Sequence, residues 1–254
     1  MTLFSLFTPQ DLLLAAAVAF VAGWVKGMVG FAMPMVLVSG LSMFLTPDLA
    51  IAGLILPTLV TNGVQALREG PAAAVSSVRQ FRVFLVVGLL FLLAGAQLVS
   101  AVPTSTFLLM IGIPVSFFAL VQVLGVQMTL SAPSPRIEAA VGAVAGFVGG
   151  MSGIWGPPTV AYLTALNTPK AVQMRVQGVV YGLGAVALML AHLGSGIFRA
   201  DTAPFSLFLV APALAGMWLG LRLQTRIDQA LFRKVTLLVL LIAGLNLLRR
   251  GLMG

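Results

Sequence analysis

Ala22-Gly23-Trp24-Val25-Lys26-Gly27-Met28-Val29-Gly30-Phe31-Ala32-Met33-Pro34 is followed later in the chain by Ala145-Gly146-Phe147-Val148-Gly149-Gly150-Met151-Ser152-Gly153-Ile154-Trp155-Gly156-Pro157. Seven of the 13 positions are identical at a constant offset of 123, so the chain contains one motif twice. Both copies interrupt long apolar runs with at least three glycines and a proline. Inside a bilayer such a break exposes N–H and C=O groups that hydrocarbon cannot satisfy. It persists only where protein or a water-filled cavity covers it. Paired interruptions at corresponding places in two halves point to the binding site of a secondary transporter.

Composition sets the class in which that motif operates. The chain is 60% hydrophobic and 8% charged, whereas a soluble domain carries about 25% charged residues. This is the composition of an integral membrane protein. The apolar runs are helical in length and do not show the alternating segments of about 10 residues that build an outer-membrane barrel. A balance of 14 Lys+Arg against 6 Asp+Glu gives a net charge of +8. The basic residues sit mainly in short loops, where the positive-inside rule accounts for them, so nucleic acid is not an expected partner. With no cysteine and one histidine, disulfides and thiolate chemistry are excluded and no metal site is expected. No cofactor is implied. The N-terminus lacks the basic n-region of a cleavable signal peptide, and Asp11 precedes a run that continues into the first break.

The organisation read from this pattern is all-α and polytopic, with two inverted-topology repeats. Each repeat is a broken-helix hairpin followed by three transmembrane helices. Residues 1–130 form the first repeat, 131–136 the connector and 137–254 the second repeat. The interrupted segments lie at about 10–45 and 137–166, too long for one straight span of about 20 residues and short for two. Helices are expected at 49–67, 82–101 and 105–130, then at 170–194, 204–223 and 232–250. Further landmarks recur: Thr46-Pro47 matches Thr168-Pro169, Gly95 matches Gly220, and Phe107 matches Phe232. The connector Ser131-Ala132-Pro133-Ser134-Pro135-Arg136 carries two prolines expected to stop the helix before it.

If each hairpin makes no net crossing, each repeat crosses three times and the second must be inverted. Loop charges test this independently. In the first repeat Arg68, Glu69, Arg79 and Arg82 follow the first full helix, while Val102-Pro103-Thr104 carries no charge. In the second repeat the pattern flips: Arg199 is cancelled by Asp201, and the next loop holds Arg222, Arg226, Asp228, Arg233 and Lys234. Parallel repeats would charge the same loop of each half. Basic loops face the cytoplasm, which places the N-terminus outside and the connector inside. Arg249-Arg250 would then lie outside, and C-terminal charges of this kind influence orientation weakly.

The doubled spacing G-x-x-x-G-x-x-G-x-x-x-P, carried by Gly23, Gly27, Gly30 and Pro34 and echoed by Gly146, Gly150, Gly153 and Pro157, resembles the sulfite exporter TauE/SafE family. The family is also called the toluene-sulfonate uptake permease superfamily. The resemblance runs from about Gly23 to the C-terminus. It implies a multi-pass inner-membrane protein that moves sulfite, sulfonates, sulfoacetate-like compounds or related sulfur-containing anions. Where many relatives have a denser glycine cluster, this chain has Phe31-Ala32 and Ile154-Trp155. Bulk at the hairpin tips should alter the cavity and with it the choice of substrate.

The candidate substrate-binding residues cluster at the two breaks. Gly27, Gly30 and Pro34 in the first, and Gly150, Ser152, Gly153, Trp155 and Pro157 in the second, would bring helix N-termini close to an anion. Such ends offer unpaired N–H groups and a positive dipole end. Close helix packing is the alternative use of the same glycines. Lys26 lies between apolar runs, opposite Gly149 in the other copy. A lysine at membrane depth costs about 2.5–3.5 kcal/mol on insertion scales and is a functional candidate by default, with snorkelling to an interface as the alternative. Arg175, flanked by Gln173 and Gln177, is read as an anion attractor or ligand, or as an interfacial anchor. Asn62, with Thr58 and Thr61, occupies the equivalent helix of the first repeat and offers neutral hydrogen bonds. Trp155 and Tyr181 are candidates to line the cavity, and His192 reads as interfacial.

The six acidic residues, Asp11, Asp48, Glu69, Glu138, Asp201 and Asp228, all fall at expected helix ends or loops, so no mid-membrane carboxylate offers a proton or Na⁺ relay. An anion leaving a cell with a negative interior gains about 2.3 kcal/mol per charge per 100 mV. Export can therefore run without ion coupling, and an exporter or facilitator is the favoured reading. An anion-selective channel and an ion-coupled uptake permease are the alternatives. An enzyme would need a nucleophile–base or metal constellation that these residues do not supply. The expected partners are a small anionic substrate and membrane lipid, with a homo-oligomer left open.

Overall fold

The computed structural model describes residues 7–97, 103–126, 129–130, 132–152, 156–194 and 198–253. Those residues form eleven α-helices and no strand. In order they are α1 (Pro9–Val29), α2 (Met33–Leu41), α3 (Pro47–Leu67), α4 (Pro71–Gln80), α5 (Arg82–Gln97), α6 (Thr104–Val123), α7 (Pro135–Ser152), α8 (Gly156–Ala165), α9 (Lys170–Gly194), α10 (Ala203–Arg226) and α11 (Gln229–Met253). Among the described residues α1, Asp48–Leu67 of α3, α10 and α11 are long and apolar enough to cross a membrane. The bent pair α4–α5, with 75° between its arms, is a fifth candidate. The chain is therefore a multi-pass, all-helical membrane protein.

The interrupted segments are helical pairs, as the glycine and proline breaks predict, but their arms are unequal. α1 has 21 residues and α2 only 9, about 31 and 13 Å at 1.5 Å per residue. The first arm is long enough to span; the second covers half that distance. α1 starts on a capping box, in which the Thr8 hydroxyl accepts the Asp11 N–H (3.1 Å) and Asp11 accepts the Thr8 N–H (3.0 Å). Pro9 supplies the first helical position, where its missing N–H has no cost. α1 ends at Gly30, whose φ of 86° is the left-handed conformation that glycine adopts freely.

Two compact units arise by contact: residues 1–68 with 178–227, and residues 69–177 with 228–254. They cut across the halves of the sequence, and the glycines show why. In the first unit α1 lies on α10 so closely that a Cβ on Gly23 would sit 2.0 Å from the Ala213 carbonyl oxygen, and one on Gly220 would sit 2.2 Å from that of Trp24. In the second unit α7 lies on α5 in the same manner. A Cβ on Gly146 would meet the Gly88 oxygen at 2.0 Å, and one on Gly95 would meet the Phe147 oxygen at 2.6 Å. Trp24 and Phe147 are equivalent positions of the doubled motif, and Gly220 and Gly95 are equivalent landmarks. Each hairpin thus packs within its unit on the glycine-bearing helix of the opposite half. Small residues that let backbones approach are the usual basis of helix association in a membrane. In the second unit α6 and α11 pack similarly, Gly244 against Ser116 and Gly112 against Leu248.

Two expectations about elements change. The stretch after α3, read as a loop, contains α4, a short helix whose Ser77 and Ala74 are buried and whose Arg79 and Gln80 are exposed. The helix expected to reach residue 130 stops at Val123, because Gly125 turns the chain at φ 97° well before the connector prolines. Glu138, expected at a helix end, is indeed in the first turn of α7. It is buried there, and its carboxylate accepts the Phe84 N–H (3.0 Å), one of the orphan donors at the start of α5.

Candidate functional site

The first break is built in the first unit by α1, α2 and α3. Gly30 donates its N–H to the Lys26 carbonyl (2.7 Å), closing α1. Ala32, at φ 71°, then turns the chain into α2, and its carbonyl accepts the Val36 N–H (3.0 Å). A non-glycine residue in this region costs about 1–2 kcal/mol and is characteristic of functional sites whose surroundings over-determine it. α2 begins with no side-chain capping bond and with Pro34 in its first turn. Its first N–H groups therefore keep the partial positive charge of a helix N-terminus.

α3 turns one polar face to this break. Thr58, Thr61, Asn62 and Gln65 fall at i, i+3, i+4 and i+7, and all four are buried. Gln65 donates through Nε2 to the Gly30 carbonyl (3.1 Å), capturing a group the break leaves exposed. Thr61 donates to the Pro57 carbonyl (2.6 Å) and touches the Met33 sulfur (3.2 Å). The Thr58 hydroxyl has no partner among the described residues. Pro57 removes an N–H from the middle of α3, and one turn of disturbed backbone is steadied by Ser206 of α10, which accepts the Leu56 N–H (3.0 Å).

Lys26 lies at the centre of this arrangement, on α1, 1% exposed. Its ammonium donates to the Asn62 Oδ1, and Asn62 Nδ2 in turn donates to the Tyr181 carbonyl of α9 (3.1 Å). No carboxylate pairs with Lys26 among the described residues. An ammonium has three donors, and a buried charge is tolerated only when paired and hydrogen-bonded. Lys26 and Asn62, with Thr61 touching Met33 and Gln65 holding the Gly30 carbonyl, place a polar, basic cluster beside the break in an apolar helix pack. This is chemistry suited to a small anion. The ammonium is held inside the helix pack by Asn62.

Gly27, a candidate anion contact, lies so close to α10 that a Cβ there would meet the Met217 carbonyl at 2.3 Å. Gly30 and Pro34 stay at the break, as the sequence indicated. In the second unit Gly150 and Ser152 end α7 and Pro157 is buried at the start of α8. The Ser152 side chain, Gly153 and Trp155 lie outside the described residues, as does the His192 side chain. Arg175 is engaged in an ion pair with Glu69 and donates through Nε to Ser77 (2.8 Å), tying α9 to α4. Gln177 is fully buried, and both its amide atoms lack a partner among the described residues. Tyr181 is buried and contributes through its backbone carbonyl. The residue that sequence reasoning missed is Gln65, although the i, i+3, i+4, i+7 spacing with Thr58, Thr61 and Asn62 was present to find it. Among the described residues no group of His, Cys, Asp or Glu side chains is arranged to hold a metal ion.

The family model described as Sulfite exporter TauE/SafE matches residues 15–247, nearly the whole chain. No curated protein matches the chain, and no solved structure matches it.

Proposed function

The chain belongs to the sulfite exporter TauE/SafE family, and from that premise we propose that it carries small sulfur-containing anions outward across the cell inner membrane. Membership makes it a membrane transporter of the sulfite-exporter type; sulfite, sulfonates and sulfoacetate-like compounds are the substrates proposed. The observation that carries the reading is the Lys26–Asn62 pair, a buried ammonium held by a neutral amide of α3, the helix whose Thr61 touches Met33 at the uncapped start of α2. An oxyanion there receives a charge-assisted hydrogen bond from Lys26 and neutral ones from Thr58 and the α2 backbone. Charge-assisted bonds are about twice as strong as neutral ones. The duplicated sequence supports extending an anion-binding role to the second break as well, around Gly150, Ser152, Gly153, Trp155 and Pro157.

The alternation of basic loops supports an inverted arrangement of the two halves, and the repeated α1–α10 and α7–α5 packing accords with a duplicated design. Outward movement of an anion is driven by the membrane potential itself, so transport as a facilitator needs no coupling carboxylate. Arg175, its charge met by Glu69, acts in this reading as a brace between helices. The test is a ligand-stabilisation screen on the purified protein with sulfite, thiosulfate, sulfonates, sulfoacetate and carboxylate controls. The reading expects melting-temperature increases confined to the sulfur anions. Stabilisation by carboxylates alone would overturn the substrate class.

A further inference from the structure

The second unit contains a groove of about 700 Å³ that the anion site does not use, within the roughly 300–1,000 Å³ range of small-molecule sites. α6 supplies Met110, Pro114 and Phe118, α7 supplies Ile137, Ala140 and Val144, and Tyr162 comes from α8. Thr129 and Tyr162 bring the only hydroxyls among its lining residues. Met110, Ile137 and Val144 line it and are also exposed, and they continue into the exposed apolar surface of Ile113 and Phe117 on α6. In a membrane protein this mouth opens to hydrocarbon.

One end of the groove is polar. Leu130 donates its N–H to the Ala165 carbonyl (2.8 Å), closing the groove where the connector begins. Tyr162, one turn before Ala165, is 4% exposed, and its hydroxyl has no partner among the described residues. Arg136, exposed in the first turn of α7, directly precedes the lining residue Ile137. The Glu138 carboxylate near Tyr162 is buried and accepts the Phe84 N–H, so the exposed charge at this end is that of Arg136. An apolar channel with a buried hydroxyl and then an exposed cation at one end has the polarity sequence of a phospholipid: acyl chain, ester, phosphate. We infer that this groove holds one acyl chain of an anionic phospholipid, with its ester oxygens at Tyr162 and its headgroup at Arg136. The inference is independent of the substrate carried at Lys26.

The experiment is native mass spectrometry of the purified protein titrated with phosphatidylglycerol or phosphatidylethanolamine of identical acyl chains. Wild type should retain one lipid and favour phosphatidylglycerol by about fivefold, the effect of one basic residue near a membrane surface. Arg136→Gln, at an exposed position, should abolish that preference and keep the adduct. Ala140→Trp, also exposed, should fill the groove and remove the adduct, as should Val144→Trp if the first variant folds poorly. Equal lipid retention by wild type and a folded groove-filling variant would overturn the inference. So would a dimer that these variants dissociate, since a second copy would then occupy the groove.

Discussion

Lys26 and Asn62 stand or fall together. Asn62 accepts from the buried ammonium and donates to the Tyr181 carbonyl, so Asn62→Leu takes from the Lys26 ammonium its side-chain partner, at about 1–3 kcal/mol or more for a charged group. Lys26→Met keeps much of the aliphatic stem and removes the charge. We predict that Asn62→Leu lowers the unfolding midpoint more than Lys26→Met does. The double variant should be more stable than the sum of the single effects, with coupling on the order of 1–3 kcal/mol. Strict additivity in denaturation of the four proteins would show that the pair does not interact. For ligand affinity, Lys26→Met should weaken binding of the best sulfur anion by roughly ten- to a hundredfold, the loss of a charge-assisted bond, read by titration calorimetry. Lys26 was conspicuous in the sequence as a charge inside an apolar run. Gln65 was not, because a glutamine near a helix end reads as interfacial until the Gly30 carbonyl is seen against it.

Among the helices, some glycines lie against neighbouring backbone and others meet nothing. A Cβ at Gly23, Gly216, Gly142 or Gly146 would fall within 3 Å of a neighbouring backbone atom, whereas one at Gly63 on α3 would meet no atom within 4 Å. Gly146→Val should therefore cost several-fold in folded yield or abolish it. Gly63→Ala should raise the melting temperature modestly, since alanine is favoured over glycine in a helix by about 1 kcal/mol. Equal tolerance of both substitutions in detergent-purified protein would refute the close α5–α7 packing. The doubled motif made the breaks legible from sequence. It did not reveal that α1 pairs with α10 or α7 with α5, because contacts this distant in the chain leave no local periodicity. α4 escaped for the opposite reason: Ser76, Ser77, Arg79 and Gln80 give it the polarity of a loop. The end of α6 was misplaced because the apolar run continues past the turn at Gly125.

For the whole molecule, the class, the approximate span positions and the family were legible because hydrophobic runs and the repeated breaks are long-range features of composition. Packing partners depend on three-dimensional complementarity and were not. The inverted arrangement proposed for the two halves predicts sidedness, and a chain without cysteine is a clean background for single reporters. Ser76→Cys and Ala230→Cys should react with membrane-impermeant maleimide only from the cytoplasmic side, and Pro103→Cys only from outside. Labelling of Ser76→Cys and Ala230→Cys from opposite sides would exclude the arrangement. The central claim, outward carriage of a sulfur anion through the Lys26 site, is tested most directly by sulfite efflux from proteoliposomes under an imposed potential. The account predicts saturable efflux accelerated by an inside-negative potential, and its loss in folded Lys26→Met protein. Equal efflux through wild type and Lys26→Met, or efflux indifferent to the potential, would contradict it.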